Sequence, residues 1–131
     1  MHIHIAEDNF DHAELLIETL KDLCPAIRVT HSNNGEDAIK FLEGLASAAA
    51  KLPDMVLLDI KMPRMNGIEA LTALKRHNQL KNIPVAMLST STNQTEIELC
   101  LNKGATTYIS KPMLAQDFED KIRPQIMRDI R

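Results

Sequence analysis

Glu7 and Asp8 stand side by side just after a short apolar run. Asp59 closes a second such run, Ser89 a third and Lys111 a fourth. If the runs ending at Glu7 and Asp59 are neighbours, three carboxylates converge. Like charges that close cannot all stay ionised without help, so either one holds a proton or a cation lies among them. A hard divalent ion suits the second alternative, because Mg²⁺ takes oxygen ligands, keeps several waters and welcomes a phosphate oxygen. The Ser89 hydroxyl and the Lys111 ammonium would meet an incoming anion from the other side. Together these groups make a phosphoryl-transfer site with Asp59 as nucleophile.

Such a site requires the runs to be strands lying side by side. Ile3–Ala6 reads as a strand, followed at helical spacing by Phe10, Ala13, Leu16, Ile17 and Leu20, with Asp11 and Glu14 as a capping pair. Ile27–Thr30 reads as the second strand, closed by a turn at Asn33-Asn34-Gly35. Ala38, Ile39, Leu42 and Leu45 then mark a helix that continues through Ala46–Ala50 until Pro53 stops it. Met55–Leu58 is apolar without interruption, as a strand buried on both faces should be. Ile68, Leu71, Ala73 and Leu74 mark a third helix, and Val85–Leu88 a fourth strand. Ile97, Leu99, Cys100 and Leu101 mark a fourth helix stopped by Gly104. Tyr108-Ile109 is the last strand, and Leu114–Ile122 opens a final helix that Pro124 should kink or end. Strict alternation predicts a parallel sheet with helices on both faces and right-handed crossovers. In such sheets function gathers beyond the carboxyl ends of the strands, where the five groups sit.

Composition narrows the setting. With 131 residues, 44% of them hydrophobic, the chain can bury a core but has little room for a second domain, so one domain over residues 1–131 is expected. A net charge of −3 offers no basic excess for nucleic acid. No apolar stretch approaches the roughly 18 residues of a membrane span, and the first residues show no signal-peptide pattern. A cytoplasmic protein is expected. Cys24 and Cys100 form no CxxC pair and read as buried thiols.

The Glu7-Asp8 pair, Asp59, the Met62-Pro63-x-Met65-x-Gly67 loop, Ser89 and Lys111-Pro112 together resemble the receiver domain of two-component response regulators, from His2 to about Met127. The resemblance implies a flavodoxin-like (βα)5 fold with strand order 2-1-3-4-5. It implies that Asp59 accepts a phosphoryl group from a sensor histidine kinase or a phosphotransfer protein. Mg²⁺ would be held by Asp8, Asp59 and the backbone carbonyl of Lys61, and through water by Glu7. Ser89 and Lys111 would bind phosphoryl oxygens, Tyr108 would be the aromatic switch, and the Lys111–Pro112 peptide would be cis. The output would be binding of an unidentified protein target, or of a second copy, through helix 4, strand 5 and helix 5. On this reading the chain is a phosphoacceptor signalling protein rather than an enzyme. The segment from Leu88 through Lys111-Pro112 further resembles stand-alone regulators paired with bacterial phytochromes.

Some residues depart from the family pattern. Thr90 replaces the usual small residue after the hydroxyl, and Lys61 places a long cationic arm two residues past Asp59. Both crowd the path of a hydrolytic water, so slow self-dephosphorylation is expected. Met113 replaces the more frequent aromatic after Lys-Pro, a change in packing rather than chemistry.

Plainer readings stand beside these. Glu7 and Asp8 alone could serve a helix N-terminus, Lys111 could be a solvated loop lysine, and Thr90 and Thr92 could belong to a polar turn. The shared position at strand ends argues for the site. His2 and His4 share a face of the first strand near His31, but without metal-chelating spacing, and neither His12, His31 nor His77 suggests a phosphotransfer histidine. An aspartyl-phosphate phosphatase needs a second acid where Lys61 stands. A flavin carrier needs an anion-binding loop where Glu7-Asp8 stands. A phosphorylation-independent docking domain of the same fold is the remaining alternative.

Overall fold

The computed structural model describes residues 1–126. The elements are β1 (His2–Ala6), α1 (Phe10–Leu23), β2 (Arg28–Ser32), α2 (Gly35–Ser47), β3 (Met55–Asp59), α3 (Gly67–Arg76), β4 (Val85–Ser89), α4 (Gln94–Asn102) and β5 (Thr107–Ser110). A closing helical segment, α5, joins Ala115–Asp117, a π turn at Phe118–Ile122 and Arg123–Ile126. All strand pairs are parallel, in the order β2-β1-β3-β4-β5. The parallel sheet is as the alternation of elements predicts, and the strand order is the flavodoxin-like one that the resemblance implies.

The alternation of side chains along each strand builds two cores. Ile3, Ile5, Met55 and Leu57 pack with Leu16 and Leu20 of α1 and with Phe118 and Ile122 of α5. Val56, Leu58 and Met87 pack with Leu42, Leu71, Leu74 and Cys100 of α2, α3 and α4 on the opposite face. β3 and β4 are buried throughout, which explains their unbroken apolar runs, whereas the edge strand β2 is mixed. Cys100 is buried as expected, and Cys24 is half-buried.

Four local expectations are corrected. The cap of α1 is Asn9, whose side chain accepts from His12 N–H at 3.0 Å, rather than the Asp11–Glu14 pair. Asn33-Asn34-Gly35 is not a free turn: Asn34 caps α2 and Gly35 begins it. α2 stops at Ser47, well before Pro53. Ala49 adopts a left-handed φ of 54°, and the N–H groups of Ala49 and Ala50 close onto the Ala46 and Leu45 carbonyls. Pro124 neither ends the last helix nor stands apart from it. Its ring would crowd the carbonyl four residues back, and the preceding π turn, with Arg123 N–H bonded to the Phe118 carbonyl, widens the helix there. The family resemblance was expected to reach Met127, which lies outside the described residues.

Candidate functional site

The register of the central strands brings the site together. Ala6 pairs with Leu58, so Glu7 leaves β1 beside Asp59 at the end of β3. Asp59 pairs with Leu88, and Ser89 with Ser110, which sets Ser89 and Lys111 at the same edge. Lys111 N–H donates to the Ser89 carbonyl at 2.8 Å, and the Lys111–Pro112 peptide is cis.

The loop between β3 and α3 is pinned from both sides. Gly67 N–H bonds the Ile60 carbonyl at 2.9 Å, and Gly35 N–H bonds the Met65 carbonyl at 3.1 Å. Arg64 turns the loop with a left-handed φ of 66°. Asn66 and Glu69 then start α3 with reciprocal capping bonds.

Glu7 and Asp59 are buried, and Asp8 is exposed. A carboxylate oxygen of each lies within 4.8 Å of the others. The Lys111 ammonium bonds Glu7 and lies 3.1 Å from Asp59 Oδ2. Burial, and then the hydrogen bond with Asp59, pushes the Glu7 carboxyl up to about 7, against the opposing pull of Lys111. The like-charge problem anticipated from the sequence is met here by an internal ammonium and by raised proton affinity.

The donors suit a hard divalent ion. They are oxygen-only and converge on one point, and the exposed Asp8 leaves the point open to water. Lys61 and Thr90, expected to govern access, are both solvent-exposed.

Ser89 is buried, and its hydroxyl is 3.2 Å from Glu96 Oε1. Tyr108 is 7% exposed, its ring already inside, with its hydroxyl 3.0 Å from the same Glu96 oxygen. Met113 is buried in the core formed by α1 and α5.

Three residues at the site were not singled out for it. His12 Nδ1 lies 3.3 Å from the Lys111 ammonium and 3.7 Å from Glu7 Oε1. Its one signal was its place in the first turn of α1, a few residues after the acidic pair. His31, on the neighbouring strand β2, reaches the Glu7 carbonyl oxygen with Nε2 at 2.8 Å. Glu96 carried a signal in its spacing of three from Asn93. His2 and His4 do share a face, where both rings bond the Thr30 hydroxyl and His4 also meets Ser32.

Comparisons with known proteins converge on one family. The profile of the response regulator receiver domain matches residues 3–123. The "Probable methanogenesis regulatory protein FilR2" of Methanothrix harundinacea is 32% identical over 117 residues, covering 89% of this chain and 76% of the relative. Coverage of the other curated relatives varies, from 80% of the two-component response regulator ARR17 of Arabidopsis thaliana to 15% of the response regulator-like PRR37 of Oryza sativa. The phosphorylated cyanobacterial phytochrome response regulator RcpA is 31% identical at a TM-score of 0.81, over 98% of this chain and 94% of that one. The Mn²⁺-bound form of the response regulator Rcp1 is 27% identical at a TM-score of 0.75, over 88% and 84%. Receiver domains bind Mg²⁺ in an acidic pocket and act as signalling phosphoacceptors that meet histidine kinases or phosphotransfer proteins. Among the described residues no helix is long and apolar enough to cross a membrane. Fold, strand-end chemistry and profile agree that this chain belongs to the receiver-domain family of two-component response regulators.

Proposed function

We infer that the chain, as a single receiver unit over residues 1–131, takes a phosphoryl group onto Asp59 from a phosphohistidine of a sensor histidine kinase or phosphotransfer protein. The observation that carries this reading is the Lys111 ammonium set against both Asp59 and Glu7 at the meeting point of three carboxylates. An Asp59 oxygen attacks phosphorus in line. The phosphorus–nitrogen bond of the donor breaks, and the imidazole keeps the electron pair and takes up a proton. Lys111 and the Ser89 hydroxyl bond the transferred oxygens. Asp8, Asp59, the Lys61 carbonyl and, through water, Glu7 would hold Mg²⁺, which when bound would neutralise phosphoryl charge. The protein catalyses only its own phosphorylation and dephosphorylation. RcpA, solved phosphorylated, and Rcp1, solved with Mn²⁺, support both halves of the reading.

The output is protein binding through α4, β5 and α5, where Leu99 and Leu101 of α4 remain 42% and 43% exposed. Ser89 and Tyr108 carry the change to that face, which serves a target protein or a second copy. Moving a two-state population from 1:99 to 99:1 takes about 5.5 kcal/mol, within reach of several charge-assisted bonds to a phosphoryl group. The protein works in the cytoplasm, without direct nucleic-acid or membrane contact.

Incubation with Mg²⁺ and acetyl phosphate, followed by intact-mass measurement, tests the reading. A gain of about 80 Da for one phosphoryl group, lost in Asp59→Asn, supports it. No gain with any donor or kinase would leave the phosphorylation-independent docking domain in its place.

A further inference from the structure

One carboxylate on α4 receives two hydroxyl groups. Glu96 Oε1 lies 3.2 Å from Ser89 Oγ and 3.0 Å from the Tyr108 hydroxyl. Ser89 Oγ accepts in turn from Ser91 N–H at 3.0 Å, and the Tyr108 hydroxyl also lies 3.1 Å from the Ser91 carbonyl. Ser89 therefore has its single proton directed at Glu96 and a lone pair taken by Ser91.

The start of α4 shows that this placement of Glu96 is not the ordinary one. Asn93 caps the helix, so Glu96 is its third residue, where a glutamate commonly reaches back to the N–H of the cap. α3 displays that form: Asn66 is the cap, and Glu69 accepts from Asn66 N–H at 3.1 Å. In α4 the Asn93 N–H bonds Ser91 Oγ at 3.0 Å instead. The Glu96 carboxylate is thereby freed and turned inward, to the two hydroxyls.

We propose that Glu96 is a positioning residue that couples Ser89 to Tyr108. The inference rests on Asp59 being the phosphoryl acceptor. Ser89 owns one hydroxyl proton, so it bonds either Glu96 or a phosphoryl oxygen on Asp59. Glu96 consequently opposes phosphorylation by competing for Ser89. Once Ser89 turns to the phosphoryl group, the carboxylate is left to Tyr108 alone. Gain or loss of one bond at Ser89 is in this way passed to the aromatic residue on β5.

The chain has one tyrosine and no tryptophan, so tyrosine emission reports on Tyr108 alone. A phenol bonded to a carboxylate is quenched by excited-state proton transfer. Glu96→Gln should therefore brighten Tyr108, while Glu69→Gln, the equivalent position on α3, should not. Glu96→Gln should also lower the acetyl phosphate concentration giving half-phosphorylation about tenfold, the worth of one charge-assisted bond. In a Ser89→Ala background that tenfold gain should vanish, whereas a plain loss of negative charge would persist. Equal emission from wild type and Glu96→Gln overturns the inference, as does an equal half-phosphorylation point in both. If neither protein gains mass, Asp59 as acceptor is refuted, and the emission comparison still decides whether Glu96 holds Tyr108.

Discussion

A β-carbon at Gly67 would sit 2.2 Å from the carbonyl oxygen of Asp59. The start of α3 is thus pressed directly under the end of β3, and only a residue without a side chain fits. Gly67→Ala must push the Asp59 backbone or the helix aside. Overpacking of this kind costs roughly 1–3 kcal/mol. We expect a urea midpoint lowered accordingly, together with loss of most phosphorylation by acetyl phosphate. An unchanged midpoint would refute the clash.

Lys111 faces both buried acids, and on the proposed reading a phosphoryl group on Asp59 uses the same cation. Lys111→Ala should slow phosphorylation by acetyl phosphate about a hundredfold, the usual cost of deleting one charge-stabilising group at a reacting oxyanion. Intact-mass time courses at saturating Mg²⁺ measure it. A rate within threefold of wild type (less than roughly 1 kcal/mol) would remove Lys111 from the site's chemistry.

Thr90 and Lys61 are both exposed, and on the proposed reading they crowd the path of a hydrolytic water. The phosphoryl group on Asp59 should accordingly persist, and Thr90→Ala with Lys61→Ala should shorten its lifetime by about tenfold, or roughly 1.4 kcal/mol of barrier. Decay of the phosphorylated mass in Mg²⁺ provides the measurement. A wild-type lifetime of seconds would contradict the expectation.

His4 is buried against Phe41, with ring centroids 4.4 Å apart, and both its nitrogens bond hydroxyls. Burial, reinforced by His2 and His31, lowers its pKa to about 3. Between pH 6.5 and that value the unfolded chain binds a proton that the folded chain refuses. The neutral ring's contribution is intact above pH 6.5 and is lost as pH falls, at up to about 1.4 kcal/mol per unit. The stability gap between wild type and His4→Gln should therefore shrink steadily from pH 6.5 to 4.5 in urea titrations. A constant gap would show that His4 does not titrate on unfolding.

Ala49 holds a left-handed conformation at the end of α2. That region costs an L-residue about 1–2 kcal/mol, partly offset for glycine by its freer unfolded chain. Ala49→Gly should raise stability by about 0.5–1 kcal/mol in urea unfolding. A loss of stability would mean that the strain is not there.

Much of this was written in the sequence where a local pattern has one physical outcome. Met55–Leu58, a short apolar run between Pro53 and Asp59, reads as a strand covered on both faces, and residues at the carboxyl ends of parallel strands share one edge. Glu7, Asp59, Ser89 and Lys111 were readable for that reason. Residues whose placement depends on how helices rotate and dock were not. Glu96 reads as a capping acid, because nothing local reveals that Ser91 takes its usual partner. His12 reaches Lys111 only through the rotation of α1. Asn9, Asn34, Asn66 and Asn93 each cap a helix. That signal was present, but Asp11 competed with Asn9, and Asn33-Asn34-Gly35 also reads as a turn. Ala49 misled because alanine favours the helix it here terminates.

The bond from Lys111 to Glu7 spans 104 residues. On a growing chain Glu7 and Asp8 are made first, Asp59 next and Lys111 last of the four. At about 5–20 residues per second, several seconds separate Asp59 from Lys111 during synthesis. A chain made only as far as the end of β3 therefore carries Asp59 without Lys111. On the proposed reading such a chain meets a kinase with its acceptor in place and its phosphoryl-binding cation still to come.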